Sequence, residues 1–443
     1  LLGRIEGLLN GILAGAIHDD PALILLMLLP LVVVLEIGYL AFVSFGVFRY
    51  RLRRQLHRPP GLPVFHPSVS CIVTCYSEGR DVQRTILSLL DQDYTGRIEI
   101  LPVIDGAAQN RPTLEAATEM QRHAGAGCRR KLRVIPKWIR GGRASSLNAG
   151  LALAEGEIVM ALDGDTSFDR DMVRRAVARF RDDSVVALAG TLRVRNAGHN
   201  LLTRLQALDY LLFRQFVRTG LGEFNIVNNI PGAHGIFRAG FLRRLGGWDT
   251  GSAEDVDLTL RIKKYFHGNP RLRIASDPYV ISHTDVPTSW WEFLRQRLRW
   301  EGDPAYLYLR KHRGSLRPSI MGWRNFLFCL WYGLTFQMLL PLVLILSLLY
   351  LLLFAEPTLA LLVLALAYGL YLCIATVLFL LHLLLISDRP EEDVALAWLL
   401  PIYPCFVLMV RVWSAFAVCH NLLLRSHLDS SMAPWWVLRK GKF

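Results

Sequence analysis

The chain changes character along its length. From Pro21 to Phe48 it is almost continuously apolar, with Glu36 the one charge, and from Arg49 to Pro318 polar and apolar positions intermingle as in a domain that folds in water. The stretches Asn325 to Ala355 and Pro357 to Ser387 then carry no Asp, Glu, Lys or Arg. Each exceeds the roughly 20 apolar residues that cross a bilayer. The pattern predicts one N-terminal membrane helix and further spans at 323–354, 358–386 and 394–424, the last containing Arg411, with four to six crossings open because the long segments hold either one tilted helix or a helix plus an interfacial piece. Residues 1–20 mix apolar and charged positions and predict an amphipathic segment on the membrane surface. The first residue is Leu1, so an upstream piece is expected.

Within the polar middle, short apolar runs bounded by turn formers predict strands at 69–74, 98–104, 132–135, 157–162 and 184–192. Helices are expected at 81–90, 201–218 and 255–265, and a Gly- and Asn-rich loop at 223–249. Strands alternating with helices imply a parallel sheet, and such sheets place ligands at the carboxyl ends of their strands. In the segment 288–300, Trp290, Trp291, Leu294 and Leu298 fall on one helical side with arginines opposite, as a helix lying in the membrane interface requires. The expected organisation is 1–58 interfacial segment and membrane helix, 59–318 cytosolic catalytic domain with interface helices, and 319–443 membrane helices with a short tail.

Composition agrees with this division: 52% apolar and only 20% charged residues in 443 exclude a wholly soluble, fibrous or disordered chain. The formal charge of +13 raises the question of nucleic acid. The basic residues gather beside the apolar spans, at Arg49, Arg51, Arg53, Arg54 and Arg58 and at Arg310, Lys311, Arg313 and Arg317, which marks the cytoplasmic side of a membrane and contact with anionic lipid. No nucleic-acid partner is expected, since aromatic-studded strands do not accompany the basic clusters. The tail residues Arg439, Lys440 and Lys442 favour an inside terminus, whereas three crossings after the domain put the tail outside. Seven cysteines without metal-ligand spacing give no disulfide framework, and Cys71 and Cys75 read as buried thiols.

The chemistry lies in the carboxylates. Asp163-Gly164-Asp165 places two acids at a strand end around a glycine turn, and two carboxylates that close call for a cation, Mg²⁺ or Mn²⁺ held with substrate phosphates being the usual solution. Asp105 ends an earlier strand and Glu78 follows the first, so both can face the N–H and O–H donors of a nucleoside. Lys137, Arg140 and Arg143 precede a helix start and could meet a diphosphate or simply form a solvated face. Glu254-Asp255 opens a helix, where backbone N–H groups favour an ionised carboxylate that is either a general base or only a cap. Gln296, Arg299 and Trp300, at i, i+3 and i+4, share one helix side and suit a sugar diphosphate: hydroxyl contacts, phosphate charge and a flat stacking surface. Arg411 within a span either lines a polar channel, or snorkels or packs against a buried partner.

The set Asp105, Asp163-Gly164-Asp165, Glu254-Asp255 and Gln296-Arg297-Leu298-Arg299-Trp300 resembles the processive membrane glycosyltransferases of family 2, the cellulose, chitin, hyaluronan and poly-N-acetylglucosamine synthases, over residues 65–320. The resemblance implies an α/β GT-A domain between membrane helices, with amphipathic interface helices, in the plasma (inner) membrane with its catalytic domain cytosolic. It implies a UDP-sugar donor, a divalent metal (Mg²⁺ or Mn²⁺), inversion at the anomeric carbon and a growing β-linked polysaccharide extruded through the chain's own helices. By the same resemblance Glu78 and Asp105 contact uridine, Asp163 and Asp165 hold nucleotide and metal with Asp165 the direct ligand, and Asp255 is the base. Glu254 and Trp300 then lie near the acceptor, and Arg143, Gln296 and Arg299 near the donor diphosphate. The chain departs from the pattern at Ala253, where a threonine is usual, and at Arg143, where a lysine is common; Trp435-Trp436-Val437-Leu438-Arg439 is only loosely like the gating loop of cellulose synthases. No room is expected for a C-terminal cyclic-dinucleotide-binding domain, so such control would need an accessory subunit. The rivals are a nonprocessive enzyme acting on a lipid carrier and, in another class, a transporter or scaffold with a degenerate domain.

Overall fold

The structure is a computed structural model that describes residues 23–56, 65–123, 129–249 and 253–424, with side chains of the first helix from residue 33 onward. The expected amphipathic segment 1–20 and the gate at Trp436 lie outside the described residues.

A nine-stranded mixed sheet forms the centre, with strands β1 (Val69–Cys75), β2 (Ile98–Asp105), β3 (Arg130–Leu132), β4 (Ile135–Lys137), β5 (Ile158–Asp163), β6 (Ser167–Phe168), β7 (Val185–Val194), β8 (His234–Arg238) and β9 (Arg273–Thr284). Their spatial order is β3-β2-β1-β5-β8-β7-β9-β6, with β4 continuing beside β2. The expected parallel sheet is interrupted: β2, β1 and β5 run together and are buried, and β7 and β9 are parallel, whereas β8 between the two groups is antiparallel to both β5 and β7. Near-continuous apolar strands such as Val69–Cys75 follow from having both faces covered. One face packs on the helices Asp81–Leu90 and Met172–Arg179, through Val82, Ile86, Val173 and Phe180; the other packs on Gly142–Leu153 and Glu254–Lys263, through Leu147, Leu151, Leu258 and Ile262.

Three stretches depart from the sequence reading. The stretch expected to be a loop contains β8 and the short helix Ala239–Arg244, and β9, the long partner of β7, was not foreseen. The expected 201–218 helix extends as Leu201–Asp209, a π-helical Tyr210–Phe216 and Val217–Glu223. It starts at a reciprocal cap, in which Asn200 Oδ1 accepts from Thr203 N at 2.9 Å and Thr203 Oγ1 accepts from Asn200 N at 3.0 Å.

Among the described residues four helices are long and apolar enough to cross a bilayer: Val33–Leu56 within Leu23–Leu56, Pro318–Leu353, Pro357–Leu385 and Tyr403–Leu424. The first touches the sheet domain at Gly220, where an added methyl group would collide with the Val43 carbonyl, so glycine there permits backbone-to-backbone contact. Salt bridges between Glu223 and both Arg49 and Arg53 hold the end of that helix. The connection after Leu385 returns to the domain: Arg193 pairs with Asp388 and Asp393, and Arg389 with Asp169 at 2.8 Å.

Candidate active site

The strand register brings the acids together. Cys75 of β1 lies opposite Ile104, one residue before Asp105, and Thr74 lies opposite Asp163, so both aspartates end at the same edge of the sheet on either side of β1. A cavity of about 1800 Å³ opens there, and Glu78, Asp105, Asp163, Asp165, Glu254 and Asp255 all line it.

Asp105 is already committed. Its Oδ1 accepts from Lys137 Nζ at 2.7 Å and Gly141 N at 2.9 Å, and its Oδ2 from Gly142 N at 2.9 Å. Gly142 sits at φ +77°, a conformation open to glycine, and thereby turns two successive amides toward one carboxylate. Asp105 thus organises the 137–142 loop at the start of the Gly142–Leu153 helix, and Lys137 is spent on it.

The two acids around Gly164 differ. Asp163 accepts from Thr74 Oγ1 at 3.2 Å and is paired with Arg143. Asp165 accepts only from Thr166 Oγ1, at 3.1 Å, and forms no ion pair among the described residues; burial raises its carboxyl above the ordinary carboxylate range, with Thr166 and more distant Arg195 opposing. A desolvated carboxylate beside a second acid fits a hard divalent cation. No group of three or more His, Cys, Asp or Glu side chains stands ready to hold one alone among the described residues, so water and phosphate oxygens would complete its shell.

Arg143 links this edge to the next pair of acids. Besides Asp163 it reaches Glu254 Oε1 at 2.7 Å, Gly232 O at 2.6 Å and Thr74 Oγ1 at 3.1 Å. Burial raises the Glu254 carboxyl and the Arg143 charge pulls it back. Glu254 and Asp255 begin their helix after Ala253, which is held at φ +56°, ψ +45°, a left-handed conformation uncommon for a residue with a Cβ. Asp255 Oδ1 accepts the Val256 N–H at 2.8 Å and Oδ2 accepts from Asn229 Nδ2 at 3.0 Å.

Gln296, Arg299 and Trp300 face the same cavity from the helix Trp290–Tyr306. Gln296 Oε1 and Arg299 Nε are buried and unbonded among the described residues. Burial lowers the Arg299 guanidinium pKa, opposed by Asp303 and Glu254. Such groups wait for a polar ligand. The Trp300 ring has Arg214 at 5.1 Å and Arg297 at 5.6 Å from its centroid, so part of its π surface is covered by guanidinium groups. The helix is not wholly an interface helix with its arginines outward. Trp290 and Trp291 are exposed, but Phe293 and Arg297 are buried, and Arg297 donates to Asp209 Oδ2 at 2.8 Å and Glu301 Oε1 at 3.3 Å. Tyr403 of the last long helix completes the cluster by donating to Asp209 Oδ1 at 3.1 Å.

The cavity continues between the apolar helices past Tyr332, Tyr371 and Tyr403 to Glu36 and Arg411. Arg411 is paired with Glu36, whose other oxygen accepts from the Tyr371 hydroxyl. Arg411 thus has a buried partner, as one sequence reading expects, and also lines the cavity.

Comparison with known proteins gives this arrangement a class. A mannosyltransferase from Pyrobaculum calidifontis, solved with GDP-Man and Mn²⁺, shares the fold with a TM-score of 0.55 at 20% identity, over 88% of this chain and 99% of that one. The architecture is that of a GT-A glycosyltransferase domain with apolar helices on either side. Residues 66–302 match the family described as "Glycosyltransferase like family 2", and the chain belongs to that family. Among its relatives are a probable glycosyltransferase, YdaM, of Bacillus subtilis (26% identical over 61% of this chain and 64% of that protein) and a poly-beta-1,6-N-acetyl-D-glucosamine synthase of Staphylococcus epidermidis (25%, over 57% and 58%). An N-acetylglucosaminyltransferase of Mesorhizobium japonicum is 30% identical over 55% of this chain and 56% of its own. The match thus spans between about half and two thirds of each of these relatives.

Proposed function

We propose that this chain is an inverting, metal-dependent, processive polysaccharide synthase of a multi-pass inner membrane, with its catalytic domain (59–318) in the cytosol. One observation carries the reading: a single cavity is lined at one end by the acids at the strand ends and at the other by Glu36, Tyr371 and Arg411 among the apolar helices. A nonprocessive transferase needs the first part of that cavity but not the second. The relatives named for N-acetylglucosamine transfer make UDP-N-acetylglucosamine the first donor to try.

In this reading Asp165, with Asp163, holds the divalent cation, which when bound supplies positive charge to the leaving diphosphate. Glu78 and Asp105 contact the nucleoside. Arg143, Gln296 and Arg299 surround the diphosphate; a guanidinium whose Nε is buried without a partner among the described residues is well suited to that charge. Glu254 and Trp300 border the acceptor sugar. Asp255 takes the proton from the acceptor hydroxyl as its oxygen bonds to the anomeric carbon and the carbon–oxygen bond to diphosphate breaks, the electron pair leaving with UDP. One displacement inverts the anomeric centre.

The test is to incubate purified protein in nanodiscs with Mg²⁺ or Mn²⁺ and each UDP-sugar in turn, then digest the product with linkage-specific hydrolases. A high-molecular-weight β-linked polymer from one donor is expected. A single sugar transferred to lipid, or no UDP release from any donor, would overturn the proposal.

A further inference from the structure

Asp255 is held from outside its own helix by a chain of two residues. Asn229 donates to its Oδ2 at 3.0 Å, and Asn229 Oδ1 in turn faces Arg218 Nη2 at 3.4 Å, while Arg218 Nη1 reaches Gly190 O at 3.3 Å. The loop that carries Asn229 is pinned on both sides. Ile230 N donates to Thr259 Oγ1 at 2.9 Å, on the same helix as Asp255, and Asn228 Nδ2 donates to Tyr332 Oη at 3.1 Å on an apolar helix.

The direction of these bonds is dictated by chemistry. An amide can present either its oxygen or its NH₂ group to a neighbour, and its orientation is read from the partners. A guanidinium only donates. Arg218 therefore requires the oxygen of Asn229, and the NH₂ group is left facing Asp255. A flipped amide would set its oxygen against the carboxylate. Arg218 is only 3% exposed, makes no ion pair and leaves Nε unbonded among the described residues. Its burial, with nearby Arg214, lowers its pKa to about 10, and the Asp255 charge opposes that fall. Burying a cation without a salt bridge is costly and contributes little to stability. It does set the orientation of the amide next to the acid.

We infer that Arg218 and Asn229 are positioning residues for the transfer reaction: Arg218 fixes the amide of Asn229, and Asn229 fixes the carboxylate of Asp255 toward the acceptor hydroxyl. The inference rests on Asp255 being the base. Neither residue takes a proton or touches the donor. The charged groups around Asp255 are Glu254 on its own helix and Arg218 below it, with Arg143 and Arg299 reaching it through Glu254.

The experiment compares the wild type with N229A, R218K, R218M and D255N, each as the full chain in nanodiscs, measuring UDP release against donor concentration. N229A is expected to lower kcat about 10- to 100-fold, less than the roughly 10²- to 10⁴-fold of general acid–base catalysis because the base itself remains, with the donor KM changed less than about twofold. R218K should retain more kcat than R218M. If R218M does not fold, N229A alone carries the test. An N229A kcat equal to the wild type's, with D255N inactive, would overturn the positioning role and leave the base in place. Wild-type turnover by D255N would overturn both.

Discussion

Arg297→Met is the sharpest structural test, because it removes the cation on which three elements converge. Arg297 is buried and bonds Asp209 at 2.8 Å and Glu301 at 3.3 Å; Asp209, itself 9% exposed, receives among the described residues only one further side-chain bond, from Tyr403. The pair's own net contribution is small, because desolvation offsets attraction, but removing one partner leaves a buried charge and costs about 3–5 kcal/mol. Taking about 3 kcal/mol for a site that retains Tyr403, and about 2–4 °C per kcal/mol for a folding unit of 150–250 residues, the midpoint should fall by about 6–12 °C. Unfolding of a membrane protein is seldom reversible, so the readout is the temperature at which half the protein survives heating as a monodisperse peak in detergent. D209L/R297M should recover most of the loss, since both charges are then gone. A midpoint within about 2 °C of the wild type for R297M, or a double variant as unstable as the single losses added together, would refute the reasoning.

Three other outcomes follow from the same geometry. D165N should lose metal-stimulated UDP release, and chelator should reduce the wild type to the same level; full activity of D165N in chelator would remove the acid from its role. E36Q and R411M should shorten or slow polymer formation with the UDP-sugar affinity unchanged, as read by gel and by donor titration, because they alter only the far end of the cavity; an unaltered product distribution would contradict this. His234 is fully buried, and its pKa is lowered to about 4 by desolvation. The unfolded imidazole binds a proton near pH 6.5 while the folded one does not, so the stability from this group is complete above pH 6.5 and lost between 6.5 and 4, up to roughly 3 kcal/mol. H234Q should flatten that acid limb in heat-challenge curves taken across pH.

What the sequence made legible depended on how local each signal is. The apolar spans and the acids at strand ends were readable because their cause lies within a few residues: a run of Val, Ile and Leu followed by Asp. Strand β9 was missed because Asp277 and Pro278 interrupt its pattern. The fold accommodates them through register shifts against β7 and by giving Asp277 to Arg179 at 2.5 Å and to the Tyr279 N–H at 2.9 Å. Strand β8 was hidden in a glycine-rich run; at Gly235 the Phe237 ring packs against the backbone, where a Cβ would meet it at 2.9 Å. The site's basic residues were the least legible part. Arg143 was expected near a diphosphate, and its pairing with both Asp163 and Glu254 joins segments far apart in the chain. Asp209 with Arg297, 88 residues apart, and Glu36 with Arg411, 375 apart, have no local signature at all. Asn229 lies in a stretch that reads as loop, and only the fold brings it to Asp255.

The central claim is that the acids at the sheet edge transfer sugar and that Asp255 accepts the proton in doing so. It is tested most directly by UDP release from purified D255N supplied with the donor and metal that support wild-type polymer synthesis, alongside donor binding by the same preparation. The account predicts donor binding within about twofold of the wild type and turnover lowered by at least the 10²- to 10⁴-fold that general acid–base catalysis contributes. Turnover at the wild-type rate with intact binding would contradict it.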